Sequence, residues 1–157
     1  MRVRHDWRGE FGQVEATIIL CDSAEAVGGK LYILGGGWSV TGPDPSPSAL
    51  AIKIDVPWTD ANRPIPVEVS LLTADGGPVL APDRQGNPKP VAVRLDIEVG
   101  RPPGLPHGTP LDATVAFGVP ALPLAQGQRY VWRLAIDGES KPHWQVGFWV
   151  RDRRPNG

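Results

Sequence analysis

The chain has 157 residues, a length that suits one domain burying roughly 70% of the surface that its unfolded chain exposes. Its 16 Lys and Arg residues balance 17 Asp and Glu residues, so its charge gives no attraction to nucleic-acid phosphates or anionic lipid. Neither nucleic acid nor a membrane is therefore an expected partner. The single cysteine, Cys21, cannot form an internal disulfide, which predicts a cytoplasmic protein.

Alternating apolar residues predict the first strand, because successive side chains of a strand point to opposite faces. Val14 to Leu20 alternates in this way. Cys21 to Val27 is interpreted as a connector with one helical turn, which ends at Gly28-Gly29. Lys30 to Leu34 is apolar on both faces, which predicts a central strand of a sheet.

A run of three glycines ends this strand. Gly35, Gly36 and Gly37 predict a bulge or a close backbone approach before Trp38. A phosphate cradle is the alternative, but phosphate-binding loops place their glycines before the N-terminus of a helix, and here another strand is expected. Thr41 to Pro47 is a predicted loop, since each proline removes a backbone donor from a sheet.

The middle of the chain repeats the alternating pattern. Ala49 to Val56 is a predicted strand that stops at Pro57-Trp58, and Val67 to Leu71 is the next. Asp75-Gly76 predicts a hairpin turn of the primed type, followed by a short partner strand from Pro78 to Leu80.

The next segments alternate between loop and strand. Residues 81 to 88 are rich in turn-forming residues and predict a loop. Val91 to Val99 has the cleanest alternation and predicts the longest strand. Gly100 to Pro110 contains four prolines, which predict a semi-rigid loop rather than a helix or a strand.

The last predicted strands carry the largest side chains. Val115 to Val119 alternates first, and Tyr130 to Ile136 follows with a row of aromatic and aliphatic residues on one face. Asp137-Gly138 predicts a turn, and Trp144 to Val150 forms the closing strand. The residues predicted to be structural in this region are Tyr130, Trp132 and Trp144.

Eight or nine short strands without helical periodicity predict an all-β fold, an immunoglobulin-like antiparallel β-sandwich with Greek-key connections. A small closed barrel is the alternative. Leu124 to Tyr130 resembles a tyrosine corner, in which the hydroxyl of Tyr130 bonds back across the turn, and this favours the sandwich. The predicted organisation is a flexible extension at 1–13, a single sandwich domain at 14–151 and a flexible tail at 152–157.

Three segments carry a family resemblance: Leu31 to Trp38, Gly100 to Pro106 and Trp132 to Glu139. They resemble a family of short bacterial proteins with no assigned function, over roughly residues 14 to 151. The resemblance implies a compact, β-rich domain. It implies no activity, ligand or catalytic residue.

No pattern of residues predicts catalysis, a cofactor or a metal site. The chain contains neither a Gly-x-Ser-x-Gly elbow nor a His-Glu-x-x-His motif. His5, His107 and His143 have no second His or Cys at metal-ligand spacing, so surface histidines are the favoured interpretation. Cys21 has no neighbouring general base, which favours a partly buried, unreactive thiol.

Acidic residues leave one weak alternative, an enzyme with an unrecognised site. Asp96 and Glu98 lie two apart on one strand face that also carries Arg94, so an exposed, ion-paired sheet face is the favoured interpretation. Such an enzyme would draw on these two acids or on Asp22.

Several aromatic and basic residues fall outside the predicted core. Trp149 is out of phase with the inward row of its strand, Trp38 follows the glycine bend and Trp58 lies beyond a strand end. Exposed aromatic area often marks a protein contact or a ligand groove, whereas Trp38 and Trp58 would otherwise plug the ends of the sandwich. The candidate interaction residues are Trp149, Arg101, His107, Trp38 and Trp58.

Two functional hypotheses follow. The first is a non-enzymatic protein-interaction or assembly module, which uses a sheet face or edge together with Trp149 and the 100–110 loop, with a protein partner or self-association. The alternative is a small-molecule-binding domain in which Trp38, Trp58 and Trp132 line one pocket.

Overall fold

The computed structural model describes residues 13–154 of the chain. The part described is all-β, as predicted, with a single 3₁₀ turn at Trp58–Asp60. None of its helical segments has the length and apolar character needed to span a membrane. The strands are β1 (Glu15–Val27), β2 (Lys30–Gly36), β3 (Val40–Thr41), β4 (Ser48–Val56), β5 (Ile65–Thr73), β6 (Leu80–Pro82), β7 (Pro88–Pro90), β8 (Ala92–Ile97), β9 (Leu111–Val119), β10 (Gln128–Ile136) and β11 (Gln145–Val150).

Two larger sheets and one small hairpin contain these strands. The first sheet has the order β2-β1-β4-β9 and is curled, and the second has the order β3-β11-β10-β5-β8. Strands β6 and β7 form a separate hairpin. All neighbouring strands are antiparallel except β3 and β11, which are parallel.

Both larger sheets contribute side chains to one hydrophobic core, which is why the inward rows of the sequence are apolar. The first sheet contributes Ile52 and Ile54 among others, and the second contributes Val69 and Leu134, all fully buried. Trp132 and Trp144 are buried in the same core. The alternation predicted for β4, β5, β10 and β11 is confirmed.

Tyr130 forms the hydrogen bond expected of a tyrosine corner. The backbone N–H of Ala125 donates to the Tyr130 hydroxyl oxygen at 2.9 Å. The hydroxyl is therefore the acceptor of this hydrogen bond. The turn before β10 is tied to a buried ring by this bond.

Cys21 to Val27 is strand, so the predicted helical connector is wrong. β1 runs on to Val27 and pairs with β2 across a turn made of Gly28 and Gly29 alone. Both glycines have positive φ, 59° and 74°, as the two central residues of a type I′ hairpin turn require. The glycine pair is thus the tip of a tight hairpin.

β2 is an edge strand, so the prediction that Lys30 to Leu34 lies in the centre of a sheet is also wrong. Among residues 13–154 its only ladder partner is β1. The strand that is covered on both faces is β4. Its Ala49 and Ala51 are buried on the face that points away from the main core.

Other differences lie between β5 and β9. Residues 81 to 88 contribute to the β6–β7 hairpin rather than forming only a loop, and β1, not β8, is the longest strand. The turn after β5 has positive φ only at Gly76, so it is not of the primed type predicted for Asp75-Gly76. Pro78 forms only an isolated bridge with Leu72.

The predicted turn at Asp137-Gly138 is present, with φ values of 53° and 80°. The predicted extension at 1–13 lies outside the described residues except for Gln13. In the predicted tail, the backbone N–H of Arg153 donates to Gln126 Oε1 at 3.0 Å, and its guanidinium lies 2.6 Å from Asp44. Residues 155–157 lie outside the described part.

Candidate functional site

The hairpin formed by the end of β1 and by β2 departs from the rest of the first sheet. The last β1 residue paired with β4 is Cys21, which faces Ala49. Residues 22–35, here called the hairpin arm, then continue as a two-stranded ribbon. At its base Gly35 has a φ of 60°, and a Cβ there would overlap the Asp22 carboxylate, so this bend requires glycine.

The inner face of the arm packs on the outside of the first sheet. Cys21, Ala49 and Ala51 form a second buried cluster, separate from the core. Leu31 and Ile33 of the arm are half-buried against it. Small residues on β4 therefore make room for the arm, which covers them.

The outer face of the arm is apolar and exposed. Tyr32 is 58% exposed, Leu34 72% and Val27 56%. The register places Tyr32 opposite Glu25 and Val27 opposite Lys30, so all of these residues share one face. Three large apolar side chains thus meet solvent on a ribbon of two strands.

The edge of β2 also carries backbone groups without a ladder partner among residues 13–154. In a hairpin with a two-residue turn, the flanking residues Val27 and Lys30 form a hydrogen-bonded pair, and the pairs then alternate along the strands. The N–H and C=O groups of Leu31 and Ile33 therefore point away from β1. An unpaired edge next to exposed apolar side chains is a template for a further strand.

The sequence analysis missed the arm as a candidate site. Tyr32, Leu34 and Val27 belong to runs that were interpreted as a central strand and a helical connector. The signal was present in Gly28-Gly29, because a glycine pair between two strand-forming runs indicates a tight hairpin.

Trp149 is exposed on β11, as its phase predicts, with 44% of its surface accessible. It pairs with Val40 of the short edge strand β3, which is also exposed. These two residues form a small second apolar patch.

Three of the predicted interaction residues lie together elsewhere. The Arg101 guanidinium lies over the Trp58 ring, 5.1 Å from its centroid, and its Nη2 donates to the Trp58 carbonyl at 2.8 Å. The ring of His107 lies 5.2 Å from the ring of Trp58 on centroids. Arg101 and His107 therefore fasten the 100–110 loop onto the 3₁₀ turn.

The structure does not bring Trp149 and the 100–110 loop together. Trp149 lies near the level of Thr73, the last residue of β5, on one side of the second sheet. The loop follows β8, whose end lies at the level of Ile65, the first residue of β5, at the opposite edge. The single surface predicted from the sequence is therefore two surfaces.

The three tryptophans of the small-molecule hypothesis do not converge. Trp38 and Trp132 line one cavity of about 20 Å³, enough for a water molecule, and Trp58 does not line it. The Trp38 ring packs against Phe148 at 5.9 Å, and its buried Nε1 has no hydrogen-bond partner within residues 13–154. The predicted three-tryptophan pocket is not formed in the described part.

A polar cluster fastens the start of β1 to the loop before β11. Trp144 Nε1–H donates to Glu15 Oε1 at 2.7 Å, and His143 Nε2 lies 2.6 Å from the same oxygen. Lys141 Nζ donates to the Val14 carbonyl at 3.1 Å. Burial raises the pKa of Glu15, but the hydrogen bonds from Trp144, His143 and the Ala16 N–H, together with the Lys141 charge, outweigh it and bring the pKa to about 2.

The other polar candidates are held in ordinary contacts. Arg94 pairs with Glu68 of the neighbouring strand, which lowers the pKa of Glu68. The Cys21 thiol is buried and donates to the Ala49 carbonyl at 3.4 Å, and burial with the nearby Asp22 charge raises its pKa. No group of three or more His, Cys, Asp or Glu residues able to hold a metal occurs between residues 13 and 154.

The fold and the arm together define an all-β protein with two sheets around one core, a curled first sheet and a hairpin edge that no strand of residues 13–154 pairs with. The chain belongs to DUF6941, a family of unknown function, which it matches over residues 16–146. No curated protein matches it.

Proposed function

We propose that this chain is a non-enzymatic protein-interaction or assembly module that binds its partner through the β2 edge and the outer face of the hairpin arm. The observation that carries the proposal is the exposure of Val27, Tyr32 and Leu34 beside unpaired backbone groups. An added strand would gain backbone hydrogen bonds from the edge and apolar contacts from the face.

The other sheet edges support this assignment by contrast. β8 carries Arg94 and Asp96, and charged side chains discourage pairing with a further strand. β3 has only two residues, and the end of β9 shares a depression with residues of β6, β7 and β8. Within β2 the only charged residue is Lys30, at the turn, and the strand contains no proline.

Trp149 and the 100–110 loop act as separate, smaller contact surfaces in this proposal. The loop is held by Arg101 and His107 on Trp58, so it presents a fixed shape with little loss of entropy on binding. Trp149 and Val40 supply apolar area at the other edge of the second sheet.

The finer fold assignment belongs to the same proposal. We take the architecture to be an immunoglobulin-like sandwich with Greek-key connections. The shared core of the two sheets and the Tyr130 hydrogen bond support it. A cytoplasmic location is likewise proposed, supported by the single, buried cysteine.

Native mass spectrometry of the protein purified gently from its own cells tests the proposal. We expect additional protein mass on the wild type and its loss in the double variant Tyr32→Lys, Leu34→Lys. Leu80→Lys is the matched control, because Leu80 is also an exposed apolar residue but lies on β6. A wild type that stays a bare monomer, also in sedimentation at about 1 mM protein, would contradict the function. A complex retained by the double variant would contradict its assignment to the arm.

A separate variant tests the two smaller contact surfaces, the 100–110 loop and Trp149. Arg101→Glu combined with Trp149→Ala removes the guanidinium of the loop and the exposed indole. We expect this variant to keep the complex, with weaker retention, because the arm carries the main contact. Complete loss in this variant but not in the arm variant would move the proposal to the second sheet.

A further inference from the structure

We infer that the partner at the β2 edge is a second copy of this chain, paired antiparallel and centred on Tyr32. This inference rests on the proposed function and specifies its partner. It follows from the phase of the hairpin, the side chains of β2 and the charges of the arm.

The alternation of hydrogen-bonded and non-hydrogen-bonded residue pairs along the hairpin decides which β2 residues can pair with a second copy. Only Leu31 and Ile33 direct their backbone groups outward within the regular part of β2, because Lys30, Tyr32 and Leu34 are bonded to β1. A two-fold axis through Tyr32 brings Leu31 of one copy opposite Ile33 of the other. Each copy then donates and accepts at both residues, which satisfies every outward backbone group of this stretch.

The side chains of β2 suit this register. Tyr32 would face Tyr32 of the second copy in a pair without backbone hydrogen bonds, where side chains come closest, and aromatic cross-strand pairs are favourable. Leu34 would face the aliphatic stem of Lys30. On the inner face, Leu31 and Ile33 would join the second hydrophobic clusters of the two copies.

The charges of the arm are complementary in this arrangement. Lys30 would lie beside Leu34 of the second copy, whose neighbour on β1 is Ser23. Glu25 lies two residues beyond Ser23 on the same face of that strand, so the lysine and one carboxylate share this face. The two lysines would lie about 13 Å apart along the ribbon, beyond the screening length at physiological salt.

The area available sets the strength of the dimer. The exposed parts of Tyr32, Leu34 and their neighbours supply a few hundred Å² per copy, less than the roughly 800 Å² per partner of a standard stable interface. We therefore expect a concentration-dependent dimer, with half-assembly between about 10 μM and 1 mM, rather than a permanent one.

Cysteine cross-linking of the full chain tests the register. Tyr32→Cys would place two sulfurs across the axis with Cα atoms about 4.5 Å apart, within disulfide range, whereas the two copies of Leu34→Cys would lie about 13 Å apart. Under mild oxidation we expect a disulfide-linked dimer from Tyr32→Cys, formed at least ten times faster than from Leu34→Cys. Cys21 is buried and present in both variants. Equal rates would overturn the register.

Charge exchange at the self-paired residue is the second test, read by sedimentation velocity. Tyr32→Lys and Tyr32→Glu should each be monomeric where the wild type dimerises, and an equimolar mixture of the two should dimerise again. A mixture that stays monomeric, or single variants that still dimerise, would overturn the inference.

The behaviour of the wild type separates the inference from the proposed function. A wild type that is monomeric throughout the concentration range overturns self-pairing and assigns the edge to another occupant, residues 1–12 or a different protein. In that case loss of a protein complex in the double variant Tyr32→Lys, Leu34→Lys would still support the proposed function. Without such a complex both fail.

Discussion

Tyr130 shows how one hydroxyl fixes a turn. It accepts from the Ala125 N–H at 2.9 Å while its ring lies in the core. We expect Tyr130→Phe to lower the free energy of unfolding by about 1 to 3 kcal/mol, because the partly buried amide loses its acceptor. Urea denaturation measures this, with Tyr32→Phe as the control on an exposed ring. Equal effects of the two substitutions would refute the assigned role.

Glu15 predicts a pH dependence of stability. Its folded pKa, about 2, lies below the ordinary value of 4.5, so the ionised carboxylate stabilises the folded state above the higher value. This stabilisation declines as the pH falls toward the lower value. Because the side chain is 49% exposed, we expect solvent screening to keep the contribution below about 1 kcal/mol.

The measurement compares Glu15→Gln with the wild type by urea denaturation across a pH series. We expect the wild type to be more stable near neutral pH, and the difference to shrink as the pH falls from about 4.5 toward 2, because Glu15 is then protonated in the unfolded state before the folded one. Glu98→Gln is the control, because Glu98 is exposed and has no salt bridge within the described range. A difference that stays constant with pH would contradict the role of Glu15.

Residue roles were predictable where the neighbours are close in sequence. The Tyr130 bond spans five residues, so the segment from Leu124 to Tyr130 contains both partners. The contact of Arg101 with Trp58 spans 43 residues and depends on how two loops meet. No local sequence pattern shows that two distant loops come into contact. The sequence analysis therefore predicted Arg101 and Trp58 as candidate residues but not that they contact each other.

The β1–β2 hairpin depends on its two turn glycines. Gly28 has a φ of 59° with open space around its Cβ position, so a substitution there tests backbone conformation alone. We expect Gly28→Val to cost about 1 to 2 kcal/mol, since the left-handed region is unfavourable for branched residues. Gly28→Asn should cost less, because Asn is well suited to this turn. Equal stability of the two variants in urea would contradict the turn assignment.

Strand prediction succeeded where one face is buried and failed at the arm. Apolar and polar residues alternate along a strand when one face of the strand is buried and the other is exposed, as in β5 and β10. Ala24 and Ala26 face inward on the arm but are small, and Val27 faces solvent, so Cys21 to Val27 shows no clear period. The run from Lys30 to Leu34 is apolar on both faces because one covers the second cluster while the other is exposed.

At the scale of the whole molecule, composition and pattern predicted an all-β chain but not where its free edge lies. Edge position depends on strand order, and β2 becomes an edge because β1 pairs with β4 on its other side. An apolar edge strand has the same sequence pattern as a buried one. The candidate site therefore required the topology, whereas the exposure of Trp149 could be predicted from its phase alone.

Hydrogen exchange at the β2 amides, followed by NMR over a concentration series, tests the central claim most directly. We predict that protection of the Leu31 and Ile33 amides increases with protein concentration, because these groups gain partners when the edges pair. The Tyr32 and Leu34 amides, already bonded to β1, serve as internal controls and should change far less. Leu31 and Ile33 amides that exchange equally fast at every concentration would contradict self-association through this edge.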